Sequence, residues 1–197
     1  MTWKHGIKAG RPREYALLTV SSIPRTDLAF ACSLLRELRL RVVDQFADLP
    51  QSALSFKPEG TDLSIGVLVV HLVWAEAGWM KAISNCAVPP ELRDEIHAIG
   101  QALPAGTPPP VSAMEAAELV KLCHRVGEEV TDPALAQLQL GLDEVVPERD
   151  TEMTPRGVLM HLIWHWTYHS GHIGLIRELW GSGYTWRFGS LGTNIKL

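Results

Sequence analysis

Four of the chain's eight histidines lie within the twelve-residue stretch "HLIWHWTYHSGH". They are His161, His165, His169 and His172. At about 100° of rotation per residue, a helix would carry all four within about 80° of one another, on one narrow face. Apolar residues fall beside that face, so we expect the histidines to point into the core. Burying several imidazoles together is costly unless their ring nitrogens find partners, and a shared metal ion would supply one.

Two histidines four residues apart can offer nitrogens to one cation, and this stretch has two overlapping pairs, His161 with His165 and His165 with His169. A metal site needs at least a third ligand from another element. The natural candidate is His71, which stands alone in the apolar segment "VLVVHLVWAE". Taken alone, His71 is better explained as a core histidine bonded to a backbone carbonyl. Together with the four-histidine face, it is better explained as a metal ligand. Glu76 falls about 140° from His71 on a helix, and we assign it no role as a base.

Four long helices are expected to position these residues, at approximately 26–49, 62–85, 112–131 and 155–180, with a shorter one at 90–99. The residues expected to cap them are Thr26 or Asp27, Thr61 or Asp62, Ser112 with Glu115, and Thr154 before Pro155. Pro133 should end the third helix, with an irregular connection following to residue 148, and Gly181 the fourth. The sequence therefore predicts an all-α four-helix bundle in a single domain, residues 1–197, with irregular N-terminal and C-terminal segments.

Composition excludes several classes of function. The net charge of −4 and pI near 6.0 provide no basic surface, which disfavours nucleic-acid binding. The longest apolar run, residues 65–75, is too short to span a bilayer, and charges near the N-terminus argue against a signal peptide. Three widely separated cysteines argue against a disulfide framework. We expect a cytoplasmic protein without a nucleic-acid or membrane partner.

The two histidine-containing segments resemble the DinB-like, YfiT-like superfamily of bacterial four-helix-bundle metalloproteins. The stretch "HWTYHSGHIGLIRELWG" is similar to the closing signature "H-x-x-x-H-[RS]-G-[QN]-I-x-x-x-[LIM]-R-x-L-G", and "LVVHLVWAE" to the element "L-x-x-H-[LI]-x-x-x-E". The resemblance covers most of residues 26–181. It implies that His71, His165 and His169 are the metal ligands. His161 is then a neighbour one turn away, and His172 takes a supporting or substrate-facing role.

For function, the resemblance implies a metal-dependent enzyme acting on a small molecule. A transferase or isomerase that uses a low-molecular-weight thiol such as bacillithiol or mycothiol is the most concrete reaction, because an open metal position can lower the pKa of a bound thiol or water. A metal-dependent hydrolase, a non-catalytic metal-binding or stress-related bundle, and a metal-free interaction protein remain alternatives. Ser170 in place of the common arginine and the inserted Trp180 depart from the pattern, which leaves the substrate contacts open.

The ligand set and the resemblance also give expectations for the metal and the assembly. Three imidazoles accept zinc, nickel, iron or copper, and we expect zinc to be the physiological metal. The resemblance further implies a homodimer. No catalytic residue is assigned from the sequence.

Overall fold

Helices make up most of the part of the chain that the computed structural model describes, which is residues 2–12, 20, 22–84, 86–95, 114–147 and 152–187. The helices are α1 (Thr26–Phe46), α2 (Gln51–Leu54), α3 (Ile65–Ile83), α4 (residues 90–95), α5 (Ala116–Arg125), α6 (Asp132–Gln137) and α7 (Pro155–Trp180). A π-helical segment, Val126–Thr131, joins α5 to α6, and two strands, β1 (Ile7–Pro12) and β2 (Gly183–Arg187), lie near the ends of the chain. The all-α class is therefore correct at the level of a mostly helical protein.

The histidine-rich helix α7 has the end signals that its sequence predicts. The Thr154 hydroxyl accepts a hydrogen bond from the Gly157 amide, and Pro155 occupies the first turn, where its missing N–H has no partner to lose. The helix ends where Gly181 takes a φ of 100°, a left-handed conformation that glycine adopts without steric cost. Both ends of α7 are therefore set by local chemistry.

The beginning of α1 differs from the prediction. Thr26 and Asp27 lie inside the first turn, and Arg25 is the N-cap without a side-chain capping bond. The Asp27 carboxylate instead accepts from the Leu28 amide and from the Arg25 guanidinium. The helix also ends at Phe46, before the predicted residue 49.

The beginning of α3 lies later than predicted. Ser64, rather than Thr61 or Asp62, is the N-cap, and its hydroxyl accepts from the Val67 amide. Asp62 forms an exposed ion pair with Lys57 at 3.1 Å, so it is engaged outside the helix. Several capping residues lie close together here, and the path of the preceding loop decides which one is used.

The sequence predicts that the third helical stretch ends at Pro133, but in the structure it continues past this residue. Ser112 lies outside the described residues, but Glu115 is extended and caps α5 in a capping box with Glu118. In the π-helical segment the Asp132 amide bonds to the Gly127 carbonyl, five residues back. This register change places Pro133 in the first turn of α6, where a proline is tolerated, so the irregular connection begins after Gln137.

The sequence predicts irregular terminal segments, but parts of both form regular structure. Strands β1 and β2 pair in parallel, with Ile7 opposite Gly183 and Lys8 opposite Tyr184. Gly10 has no Cβ to collide with the Tyr184 ring, which packs directly against it. The Tyr184 hydroxyl donates to the Asp44 carboxylate at 2.6 Å. These contacts fix the two-stranded sheet to the C-terminal half of α1.

The long helices pack so that the core lies between them. Helix α7 contacts α1 and α3, and α5 also contacts α1 and α3. Of the described helices, α3 is the one long and apolar enough to cross a membrane, but most of it is buried inside the protein. A buried core helix has the same length and composition. The interface between α3 and α7 is where the histidines of the two sequence motifs meet.

Candidate metal centre

The structure brings His71 of α3 together with His165 and His169 of α7. Each offers a ring nitrogen, and these atoms lie within 4.8 Å of one another. The Nε2 atoms of His71 and His165 are 2.9 Å apart. The His71 ring also stands edge-on to His169, with ring centroids 5.1 Å apart. These three residues are hereafter the three-histidine group.

The sequence predicts that the histidine face of α7 points into the core, but the structure places this face at the edge of the core. His165 is buried, with 6% of its surface exposed, whereas His161, His169 and His172 are half-buried. Around the axis of α7, the centre of the buried face is rotated away from the histidines. It lies near Leu162, Trp166 and Ile173. The three-histidine group therefore lies at the margin of the α3–α7 interface, with His71 and His169 partly exposed.

Burial holds the three imidazoles in their neutral form. It lowers the pKa of His165 to about 3, with additional lowering from the neighbouring His71, His169 and His161. Burial likewise lowers the pKa of His169 to about 4, assisted by His71 and His172, and lowers the pKa of His71. A neutral imidazole keeps a nitrogen lone pair, which is the form that binds a metal.

The hydrogen bonding of the group leaves ring nitrogens without adequate partners. His165 Nδ1 is buried and has no hydrogen-bond partner in the described part of the protein. Between the facing Nε2 atoms of His71 and His165, at most one nitrogen can donate to the other. A shared cation would engage both lone pairs instead. The donor set of three neutral imidazoles thus fits a divalent ion of the zinc class, and the group could hold one.

The other two histidines of α7 adjoin the group without belonging to it. His172 Nδ1 lies 3.3 Å from His169 Nδ1, which places it where it can orient the His169 ring. His161 stacks on His165 with centroids 5.3 Å apart, and Trp79 makes an edge contact with the His161 ring at 5.1 Å. A supporting role for either residue stays a prediction.

Glu76 lies in the core and is bound to three other elements. Its Oε1 accepts from the Arg39 guanidinium of α1 and from the Thr131 hydroxyl of the π-helical segment. Its Oε2 accepts from Trp166 Nε1 at 2.8 Å. The carboxylate is fully buried, and Gly127 leaves room for Arg39 because a Cβ there would come within 2.7 Å of the guanidinium.

The buried Glu76 carboxylate with its three partners, hereafter the Glu76 hub, affects the candidate metal centre through Trp166. Trp166 directly follows His165, so its bond to Glu76 helps to set the rotation of α7 against α3. Sequence reasoning assigned Glu76 no role as a base and did not predict its contacts with three other elements. The available signal was a lone acid in an otherwise apolar helix.

The cysteines are not part of the site. Burial raises the pKa of both the Cys32 and the Cys123 thiols to about 12, and Asp132, which accepts a hydrogen bond from Cys32, raises that of Cys32 further. These two side chains remain protonated near neutral pH and are poor nucleophiles. Neither Cys32 nor Cys123 would therefore supply a thiolate for chemistry at the three-histidine group.

The fold and the site together define a mostly helical protein with a three-histidine group that could hold a divalent metal. The model of the mycothiol-S-transferase family matches residues 32–181, and the chain belongs to that family. The matched region contains all three histidines of the group and the Glu76 hub. No curated protein matches the chain.

Proposed function

We propose that the protein is a metal-dependent S-transferase that joins a low-molecular-weight thiol to a small electrophile. His71, His165 and His169 would hold the metal. The observation that carries the proposal is the convergence of these imidazoles, from two separated motifs, in a chain of the mycothiol-S-transferase family. Mycothiol is the thiol that the family name indicates, and bacillithiol is the alternative donor.

The proposed reaction forms one bond and breaks another. A bound divalent ion would act as a Lewis acid and favour the thiolate form of the thiol near neutral pH. The thiolate sulfur then forms a bond to the electrophilic carbon, and the leaving group departs with the electron pair of its own bond to that carbon. The proton lost from the thiol passes to solvent.

The chain's own residues contribute positioning and protonation state. Burial keeps the three imidazoles neutral, and His172 Nδ1 contacts Nδ1 of His169. The bond between Glu76 and Trp166 holds α7 against α3, and thus His165 near His71. We propose the His172–His169 contact and the Glu76–Trp166 bond as positioning interactions, since neither requires contact with the substrate.

The remaining parts of the proposal concern the metal, the assembly and the location. Zinc suits three imidazoles with an open position, and nickel, iron or copper would also bind them. We propose that the four long helices form a bundle within a single cytoplasmic domain. Exposed apolar residues along α7, namely Met160, Leu175 and Leu179, are consistent with a homodimer.

The test combines metal analysis with an activity assay. Full-length protein without a histidine tag is analysed for metal, and transfer from mycothiol or bacillithiol to 1-chloro-2,4-dinitrobenzene is followed. We expect about one metal per chain and thiol-dependent transfer, with both lost in His165→Ala. His124→Ala, which changes an exposed histidine of α5, is the matched control and should retain both.

The outcomes separate the alternatives. Absence of metal from the parent protein would exclude the metal centre. Bound metal without transfer of either thiol would favour the non-catalytic metal-binding protein. Hydrolysis of an ester probe without any thiol requirement would favour the hydrolase.

A further inference from the structure

A cavity of about 280 Å³ lies between α1 and the third helical stretch, and the three-histidine group is not part of its lining. Its volume is close to the lower end of the range for ligand pockets, about 300–1,000 Å³, so it fits a small molecule. Its described lining includes four charged residues and an apolar wall on α1, namely Arg36, Arg39, Glu128 and Asp132, with Leu40 and Val43.

The Arg39 guanidinium has hydrogen-bond donors left over for a ligand. Arg39 is only 5% exposed, and its Nη1 donates to Glu76. No residue of the described chain accepts from its Nε or Nη2, and neither atom is fully enclosed, so both open into the cavity.

The neighbouring Gly127 leaves the Nε–Nη2 edge of Arg39 free. A Cβ on Gly127 would lie almost equally far from Nη2, Cζ and Nε, at 2.7, 2.8 and 2.9 Å. Gly127 therefore stands over the flat face of the guanidinium and not at its edge. Two parallel N–H groups along such an edge match the two oxygens of a carboxylate.

A carboxylate of the protein lies at the rim of the same cavity. Glu128 is exposed, and it forms no ion pair with the part of the chain that the structure describes. Arg36, across the cavity on α1, is already paired with Asp132. Because Glu128 directly follows Gly127, which covers Arg39, the free carboxylate and the free guanidinium edge belong to the same end of the cavity.

The charges of the lining restrict the ligand. Two guanidiniums and two carboxylates sum to no net charge among the described lining residues. A simple anion would meet Glu128 and Asp132, and a simple cation would meet Arg36 and Arg39. A zwitterion adds no net charge, and each of its ends finds an opposite charge that offsets its lost hydration.

We propose that this cavity binds a small α-amino acid with an apolar side chain. Its carboxylate accepts from Nε and Nη2 of Arg39, its ammonium group pairs with Glu128, and its side chain packs on Leu40 and Val43. The site is separate from the three-histidine group, and its ligand is neither the thiol nor the electrophile of the proposed reaction.

The test compares L-leucine with two analogues that each lack one charged group. Binding of L-leucine, isocaproate and isopentylamine to the full-length, untagged protein is measured by calorimetry. Isopentylamine lacks the carboxylate that Arg39 binds, so it should bind at least about tenfold more weakly than leucine. Isocaproate lacks the ammonium group, and it should bind about two- to fivefold more weakly, because the pair with Glu128 is exposed.

Glu128→Gln tests the site without disturbing the core, because Glu128 is exposed. The affinity for leucine should fall by about two- to fivefold, and that for isocaproate should not fall. Glu59→Gln, which removes an exposed carboxylate from the loop before α3, is the matched control and should leave both affinities unchanged.

Equal affinities for leucine and isopentylamine, no binding of leucine, or an equal loss in Glu59→Gln would each overturn the proposal. So would unchanged leucine affinity in Glu128→Gln. Amino acids also chelate metal ions, so the leucine titration is repeated after a chelator has removed any bound metal. Retained affinity would support the cavity, whereas loss would place the ligand on the metal and reject the cavity. Neither result depends on thiol transfer, so this inference and the proposed function can fail separately.

Discussion

Replacing Glu76 with glutamine should destabilise the protein far more than the similar shape of the two side chains suggests. The Glu76 carboxylate is fully buried, and its ion-pair partner Arg39 is only 5% exposed. Glutamine would leave the Arg39 guanidinium in the core without a counter-ion. Its amide nitrogen would also face a donor, either Thr131 and Arg39 or Trp166.

The expected magnitude follows from breaking a buried ion pair by changing one partner, which costs about 3–5 kcal/mol. Domains of this kind unfold with a free energy of only about 5–15 kcal/mol, so Glu76→Gln should lose a large part of the stability. Adding Arg39→Met removes the unpaired charge. The double variant should therefore cost less than the sum of the two single variants.

The assay is urea unfolding of the metal-free, full-length protein, followed by circular dichroism, with the free energy of unfolding obtained by linear extrapolation. Asp143→Asn is the matched control, because it breaks the Asp143–Arg156 pair, which has bonds of 2.7 and 2.8 Å but is exposed. We expect no measurable change there, since solvent screens the pair. A loss below about 1 kcal/mol for Glu76→Gln would refute the reasoning.

Two further predictions concern pH and packing. Because the pKa values of folded His165 and His169 lie below the ordinary 6.5, the unfolded chain takes up more protons as the pH falls from 6.5 to about 5. The Tm of the metal-free protein should therefore decrease over this range, less steeply in His165→Asn, and a flat profile would contradict the burial of these rings. Gly127→Ala should lower the free energy of unfolding by about 1–3 kcal/mol by displacing a buried guanidinium. Gly78→Ala, where a Cβ meets nothing within 4 Å, should leave Tm unchanged or raise it.

Much of the candidate site follows from spacing that a helix converts directly into geometry. His165 and His169 are four residues apart, so any helix through them places both on one side. The ends of α7 were likewise predictable, because Thr154, Pro155 and Gly181 act on backbone groups within a few residues of themselves. The isolation of His71 in an apolar segment indicated the third member, and the family resemblance selected it with the other two.

Other features depend on residues far apart in the chain, and local patterns could not predict them. The π-helical register that admits Pro133 and the choice of Ser64 as N-cap both depend on how neighbouring segments pack. The pairing of β1 with β2 joins the two ends of the chain. Strands this short have no clear local signal, and their stability comes from the partner strand and the contacts with α1.

The sequence by itself determined that this protein is mostly helical and that four histidines share one narrow face of α7, because helix geometry and end signals act within a few residues. Only the tertiary structure decided that His165 alone of the four is buried and that Glu76 joins three other elements in the core. Burial and ion pairing depend on which surfaces meet, and that follows from the free energy of packing the whole chain rather than from any one segment.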